Sequence, residues 1–185
     1  MNTTAMPNPL FATFCSAINE SSAQLFSNNL ARAVQGKFTE LHLSLQSTGG
    51  FVGDGIYLYN LLKASPIPVI AYNLGSVQSV ATIAFLGASK RIASKHAVFM
   101  IHRTRFTPQL ATGGLLRELT VVADLEDKRT EALLRDHITL HGRTWEDLEG
   151  KEFWFTAEEA IQAGIVHSIG DFSPPMGSQL WSFTI

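Results

Sequence analysis

Hydrophobic and polar positions alternate between two periods along this chain. Leu41-His42-Leu43-Ser44-Leu45 repeats every second residue, the mark of a half-buried strand. Before it, Leu25, Phe26, Asn29, Leu30 and Ala33 share one face of a helix predicted over Ser21–Gln35, with Gly36 at its end. A short strand is predicted ahead of that helix, over Phe11–Ser16. Ile56–Lys63 reads as a second helix, stopped by Pro66. Pro68–Leu74 reads as an apolar strand that Gly75–Gln78 turns. Ser79–Ala88 reads as a buried helix, because it carries no charge and ends in small residues. Two short strands follow, Arg91–Ser94 and Ala97–His102. Leu115–Leu140 is the longest periodic segment, closed by Gly142. Thr156-Ala157-Glu158-Glu159 has the form of a capping box and opens a helix ending at Gly164. Val166–Ile169 reads as a last strand. Strands alternating with helices predict crossover units and a mostly parallel sheet.

Residues 1–10 are polar with Pro7 and Pro9 and read as a lead-in; residues 11–170 read as one domain. Residues 171–185 read as a tail whose Leu180, Trp181, Phe183 and Ile185 must dock on something. Charged residues make up 16% of the 185, against roughly a quarter in an average soluble domain. So sparse a charge predicts that much of the surface faces other subunits. A net charge of −2 leaves no electrostatic footprint for nucleic acid or an anionic membrane. A single cysteine, Cys15, excludes an internal disulfide framework and a multi-cysteine zinc site, and no metal or other cofactor is expected. No apolar run approaches the ~20 residues of a membrane helix, and the first ten residues carry no Lys or Arg. The expected compartment is the cytoplasm.

Three segments could carry chemistry. Ser47-Thr48-Gly49-Gly50 follows a strand, and its paired glycines can leave amide N–H groups free to hold a phosphate or an oxyanion; the alternative is a bare turn. Gly75-Ser76-Val77-Gln78-Ser79 places a serine at a strand-to-helix turn, close to but not matching the G-x-S-x-G elbow; the alternative is that Ser79 caps the helix. His102 ends an apolar strand before a polar loop, where α/β proteins place active residues; the alternative is a structural histidine. Together a hydroxyl, an imidazole and an amide-rich turn are what acyl transfer requires: a weak nucleophile, a base and oxyanion donors.

These segments, in this order, resemble the ClpP family, the proteolytic subunit of the ATP-dependent Clp protease. The family's S-P-G-G turn appears as Ser47-Thr48-Gly49-Gly50, and its G-x-x-A-S-M nucleophile turn as Gly75-Ser76-Val77-Gln78-Ser79-Val80. Its M-I-H strand end appears as Met100-Ile101-His102. Its closing S-A-x-E-A helix appears as Thr156 through Ala160, running on to Gly164-Ile165-Val166. The resemblance spans about Phe11 to Ile169. It implies an α/β fold with a repeated β-β-α spiral core, shared with crotonases, and a projecting handle over about 103–142. It also implies a serine endopeptidase acting on unfolded proteins or peptides. Ser79 would be the nucleophile, His102 the base, and the Gly50 and Val80 amides the oxyanion hole. The family's triad Asp falls on Glu152 here, one methylene longer, with Asp147 the fallback.

Implied partners are further copies of the chain in rings, heptamers or double-ring tetradecamers, and an AAA+ unfoldase. The sequence departs from the family at Gln78 and Val80 around the nucleophile, and at Arg103-Thr104-Arg105-Phe106-Thr107-Pro108 after the histidine. Only about ten residues precede the first strand, fewer than the family's axial-loop segment. These departures predict a divergent branch and put the ATPase partnership in question more than the hydrolysis. Three alternatives stand beside the peptidase: a catalytically silent structural subunit, a capsid-maturation peptidase of similar fold, and a crotonase-like acyl-CoA enzyme.

Overall fold

Alternating apolar stretches generate one sheet, and helices laid over it supply the crossovers. The computed structural model describes residues 7–106 and 112–184. In chain order the elements are β1 (Pro9–Cys15), α1 (Glu20–Gln35), β2 (Glu40–Ser47), α2 (Val52–Lys63), β3 (Val69–Gln78), α3 (Val80–Leu86), β4 (Lys90–Ala93) and β5 (Val98–His102). Then follow α4 (Gly113–Arg135), a 3-10 turn (Glu146–Leu148), β6 (Glu152–Thr156), α5 (Ala157–Gln162), β7 (Ser168–Ile169) and β8 (Leu180–Ser182). The sheet order is β6-β5-β3-β2-β1-β8, with β4 bridging β3 and β7. The pairings are parallel except β5 with β6. The predicted mixed α/β architecture is therefore what the chain adopts. Phe14, Phe26, Phe85, Phe99 and Phe183 are fully buried at its centre.

β3 departs from expectation in a way that builds the site. Gly75–Gln78 does not turn the chain; it continues as strand. The first part of β3, Ile70–Asn73, pairs with β4, and the last part, Ser76–Gln78, pairs with β5. The change of partner falls at Leu74–Gly75. Asn73, fully buried, pins it: its Oδ1 accepts the Gly75 amide at 3.0 Å and its Nδ2 donates to the Val98 carbonyl at 2.8 Å. The longer strand carries the chain past its β4 neighbour, so that the turn comes at Ser79 and beside β5.

Residues 152–155, to which the sequence pattern assigned no element, form with Thr156 the strand β6, antiparallel to β5. Three further expectations change. The tail does dock, but on its own subunit: β8 pairs in parallel with β1, Phe183 is buried edge-on against Phe26 at 5.0 Å, and Trp181 packs on Phe38. Strand β1 begins at Pro9, inside the stretch read as a lead-in, while residues 1–6 lie outside the described residues. The long helix α4 has 23 residues, not 26, a length of about 34 Å. Along it only Leu134 is buried, so most of its length stands off the core. Residues 107–111 of the expected handle lie outside the described residues. The Thr156–Glu159 capping box forms as read: Glu159 N–H donates to Thr156 Oγ1 at 3.2 Å and Thr156 N–H to Glu159 Oε2 at 2.8 Å.

Candidate active site

Ser79 stands between β3 and α3 with φ 56° and ψ −134°. A non-glycine residue in that region costs of order 1–3 kcal/mol, so its surroundings must hold it there. They do. The Ser79 amide donates to the Met100 carbonyl of β5 at 2.7 Å, and the Ser79 carbonyl accepts the Thr82 amide at 3.0 Å. The Thr82 hydroxyl, fully buried, lies 3.0 Å from the Met100 carbonyl and 3.1 Å from that of Val77. Ser79 makes no capping hydrogen bond to α3, so the alternative reading of its hydroxyl as a helix cap is corrected. The hydroxyl is left for the cavity beside it.

The glycine pair packs directly on this serine. Gly49 has φ 94°, and a Cβ on it would lie 2.6 Å from the Ser79 Cβ. At Gly50 a Cβ would overlap the Ile18 carbonyl oxygen at 1.9 Å. Ile18 clamps both sides of Gly50 in a parallel bridge: its amide donates to the Gly49 carbonyl at 2.8 Å and its carbonyl accepts the Phe51 amide at 2.9 Å. In that geometry the Gly50 amide points the opposite way, and it has no backbone acceptor among the described residues. Val80 is the first residue of α3, so its amide has no carbonyl four residues earlier within the helix. A Cβ on Gly55 of α2 would overlap the Val80 side chain at 2.1 Å, which fixes how closely α2 and α3 approach.

His102 ends β5, two residues beyond the carbonyl that holds Ser79. Ser79, His102, Gly50 and Val80 all line one cavity of about 470 Å³, walled on its apolar side by residues such as Ile18, Phe51, Ile83 and Leu134. No hydrogen bond joins Ser79 to His102 among the described residues. Burial, and next the Arg105 guanidinium, hold the His102 imidazole below its usual pKa; the Arg103 backbone, Glu152 and Asp127 oppose them. The ring is therefore biased toward neutral, the form a base needs. Its Nδ1 is buried and has no hydrogen-bond partner among the described residues.

Glu152 stands directly across from His102 in the β5–β6 register. Its carboxylate turns elsewhere. Oε1 accepts Arg105 Nη1 at 2.7 Å and Oε2 accepts the Trp154 indole N–H at 3.1 Å. Those two hydrogen bonds, Arg105 first, pull the Glu152 carboxyl below its usual pKa. Asp147, the fallback acid, is engaged in a local turn: Oδ2 accepts the Thr144 amide and hydroxyl, both at 3.0 Å, which lowers its pKa. It does not line the cavity.

The sequence reading missed Thr82 and Arg105. Thr82 gives no signal, being one residue of an uncharged helix. Arg105 was noticed only as a departure. A usable sign was the alternation Glu152-Phe153-Trp154-Phe155-Thr156, period two, which puts Glu152 and Trp154 on one side of a strand. Among the described residues no group of three or more His, Cys, Asp or Glu side chains is placed to hold a metal ion, and no helix is long and apolar enough to cross a membrane.

With this geometry in hand, comparisons with other proteins are informative. The sequence model of the Clp protease family matches residues 10–172. The ATP-dependent Clp protease proteolytic subunit 2 of Corynebacterium efficiens is 28% identical over 159 residues, 82% of this chain and 76% of that protein. The ATP-dependent Clp protease proteolytic subunit of Acorus calamus is 30% identical over 159 residues, 83% and 77% of the two chains. A solved structure of a ClpP1 mutant from Listeria monocytogenes superposes over 88% of this chain and 91% of that one, with a TM-score of 0.71 at 21% identity, a likeness of fold.

Proposed function

The chain belongs to the Clp protease family, and on that premise we propose that it is a serine endopeptidase with Ser79 as nucleophile and His102 as general base. The observation that carries this reading is the strained serine: a free hydroxyl, a neutral-biased imidazole and an unoccupied glycine amide meet in one cavity. In the reaction His102 takes the Ser79 proton as the hydroxyl adds to the peptide carbonyl. The amides of Gly50 and Val80 receive the oxyanion. The imidazolium then protonates the departing amine, and water releases the acyl chain by the same path in reverse. Glu152 is the acid that orients and charges His102 when it faces Nδ1.

The peptidase domain takes in β1 through β8, from Pro9 to Ser182, with the handle over about 103–142. Assembly into rings, heptameric and stacked in pairs, would enclose Ser79 and admit only unfolded chains or short peptides. Support comes from α4, which exposes Leu116, Val121, Val122 and Leu125 to solvent in the single subunit. One observation favours a second reading, a catalytically silent subunit: Glu152 is bound to Arg105 rather than to His102.

A fluorophosphonate probe separates the two. Stoichiometric labelling of Ser79 is expected of the peptidase; no labelling overturns it in favour of the silent subunit. Light scattering at micromolar concentration tests the chamber, which a mass of one subunit removes.

A further inference from the structure

Glu152 has two charged candidate partners, Arg105 and His102, and holds the first, while its Oε2 accepts the Trp154 indole N–H at 3.1 Å, a contact that transfer must also release. His102 lies opposite it in an antiparallel pair, where Cβ atoms come within about 4.5–5.5 Å, so rotation of the Glu152 side chain alone brings a carboxylate oxygen toward the imidazole. Among the described residues the His102 Nδ1 is buried and has no hydrogen-bond partner, an unfavourable state that such a carboxylate would relieve. Arg105 leaves β5 three residues after His102, its side chain 57% exposed, and takes Glu152 Oε1 at 2.7 Å. The neighbouring cation Arg103 is held by Glu131 at 3.0 Å and Glu149 at 3.5 Å, so the capture of Glu152 falls to Arg105. An exposed ion pair is worth little, and water can take its place on a half-exposed guanidinium.

We propose that Arg105 is a positioning residue that works against the triad: it holds Glu152 away from His102, and transfer of Glu152 from Arg105 to His102 Nδ1 switches the base on. The proposal rests on the reading of Ser79 and His102 as nucleophile and base. The charged groups that act on His102 are Arg105 from its own strand's exit, Glu152 from β6 and Asp127 from α4. Asp127 is itself occupied, accepting the Thr104 amide and lying 3.9 Å from Arg103, so it cannot replace Glu152 at Nδ1 without breaking that contact. Arg105 thus lowers the basicity of His102 twice, by its own charge and by withholding the carboxylate.

The test uses the full chain in three forms: parent, Arg105→Gln, and Arg105→Gln with Glu152→Gln. The first readout is the titration of the His102 ring followed by nitrogen-detected NMR. The midpoint is expected to move up in Arg105→Gln, and to fall back part of the way when Glu152 is also changed. The second readout is peptide hydrolysis. Arg105→Gln is expected to raise kcat by about ten- to a hundredfold with KM little changed, at or below the range that a positioned base supplies. The acid limb of its pH profile moves up with the His102 midpoint. An unchanged His102 titration in Arg105→Gln, or the same midpoint in the single and double variants, overturns the exchange. So does a fall in kcat. Absence of fluorophosphonate labelling at Ser79 in both the parent and Arg105→Gln would instead remove the hydrolytic reading, while the NMR titration still decides where Glu152 goes.

Discussion

Around Ser79 the holding partners are internal and most are backbone. Its amide and carbonyl are taken, Thr82 braces the two carbonyls beneath it, and Gly49 leaves no room for movement. Around His102 the partners are side chains at the cavity rim. Its strand neighbour Glu152 is engaged by an exposed arginine and an exposed tryptophan, and the His102 Nδ1 has no partner among the described residues. The two halves of one candidate site are thus held by forces of different kinds. Buried backbone hydrogen bonds have no competing water, so the nucleophile turn has one arrangement. Half-exposed ion pairs exchange with water and with each other at small cost, so the acid can have two. Strain is concentrated where the structure is rigid, and choice where it is soft.

The sharpest break to this contrast is Ser79→Ala. Hydrolysis is expected to fall to background, since removing the nucleophile of a comparable triad costs about 10⁶ in turnover. The melting temperature should barely move, because the hydroxyl caps nothing. Residual turnover above a matched blank, in protein free of contaminating protease, would take the nucleophile away from Ser79.

Next in size is Glu152→Gln made in the Arg105→Gln background, where the carboxylate is free to reach His102; it keeps the shape and removes the charge. A neutral substitute for a triad acid has cost about 10⁴ in kcat. A loss smaller than about tenfold would place the orienting acid elsewhere and would make the soft side of the site irrelevant to chemistry.

Thr82→Val asks whether the rigid side is rigid for the reason given. It fills the same space and deletes the hydroxyl donor between Val77 and Met100. Chemical denaturation is expected to show a loss of about 1–3 kcal/mol, with a fall in kcat as the Ser79 turn relaxes. Unchanged stability would mean that the strained serine is held by its own backbone hydrogen bonds and by packing against Gly49, without help from the Thr82 hydroxyl.

The smallest effect is expected from Asp147→Asn. Hydrolysis should stay within about twofold of the parent, as for surface substitutions remote from the site. The carboxyl pKa is lowered in the folded protein, so Asp147 favours folding above its unfolded value of 3.8 and loses that contribution as pH falls through the folded value. The variant's stability deficit should therefore be present at neutral pH and disappear in strong acid. A large loss of activity would return Asp147 to the role of triad acid.

Elements with a strong local pattern were legible before any coordinates. The strand at Leu41–Leu45, the one-faced apolar stripe of α1 and the capping box at Thr156 formed as read, because each depends on neighbours within a turn or a strand, although Ser44, read as an outward position, is buried. Family membership was legible too, because it rests on short motifs in order. The errors fell where distant segments compete. Gly75–Gln78 carries turn residues yet runs as strand, since pairing with Val98–Met100 outweighs local preference. The tail's apolar residues announced burial but not the surface that buries them; the open edge of β1 was supplied by the fold.

By itself, then, the chain's sequence determined the α/β architecture and offered the serine, histidine and glycine turn that line one cavity, because residue identity and local period carry that information; Glu152 came from the family resemblance, and the β5–β6 register sets it across from His102. What the tertiary structure decided was orientation. Whether Ser79 caps a helix or faces a cavity, and whether Glu152 meets His102 or Arg105, depends on rotamers and on the register of β5 against β6. Those are long-range, closely balanced choices that no short stretch of sequence encodes.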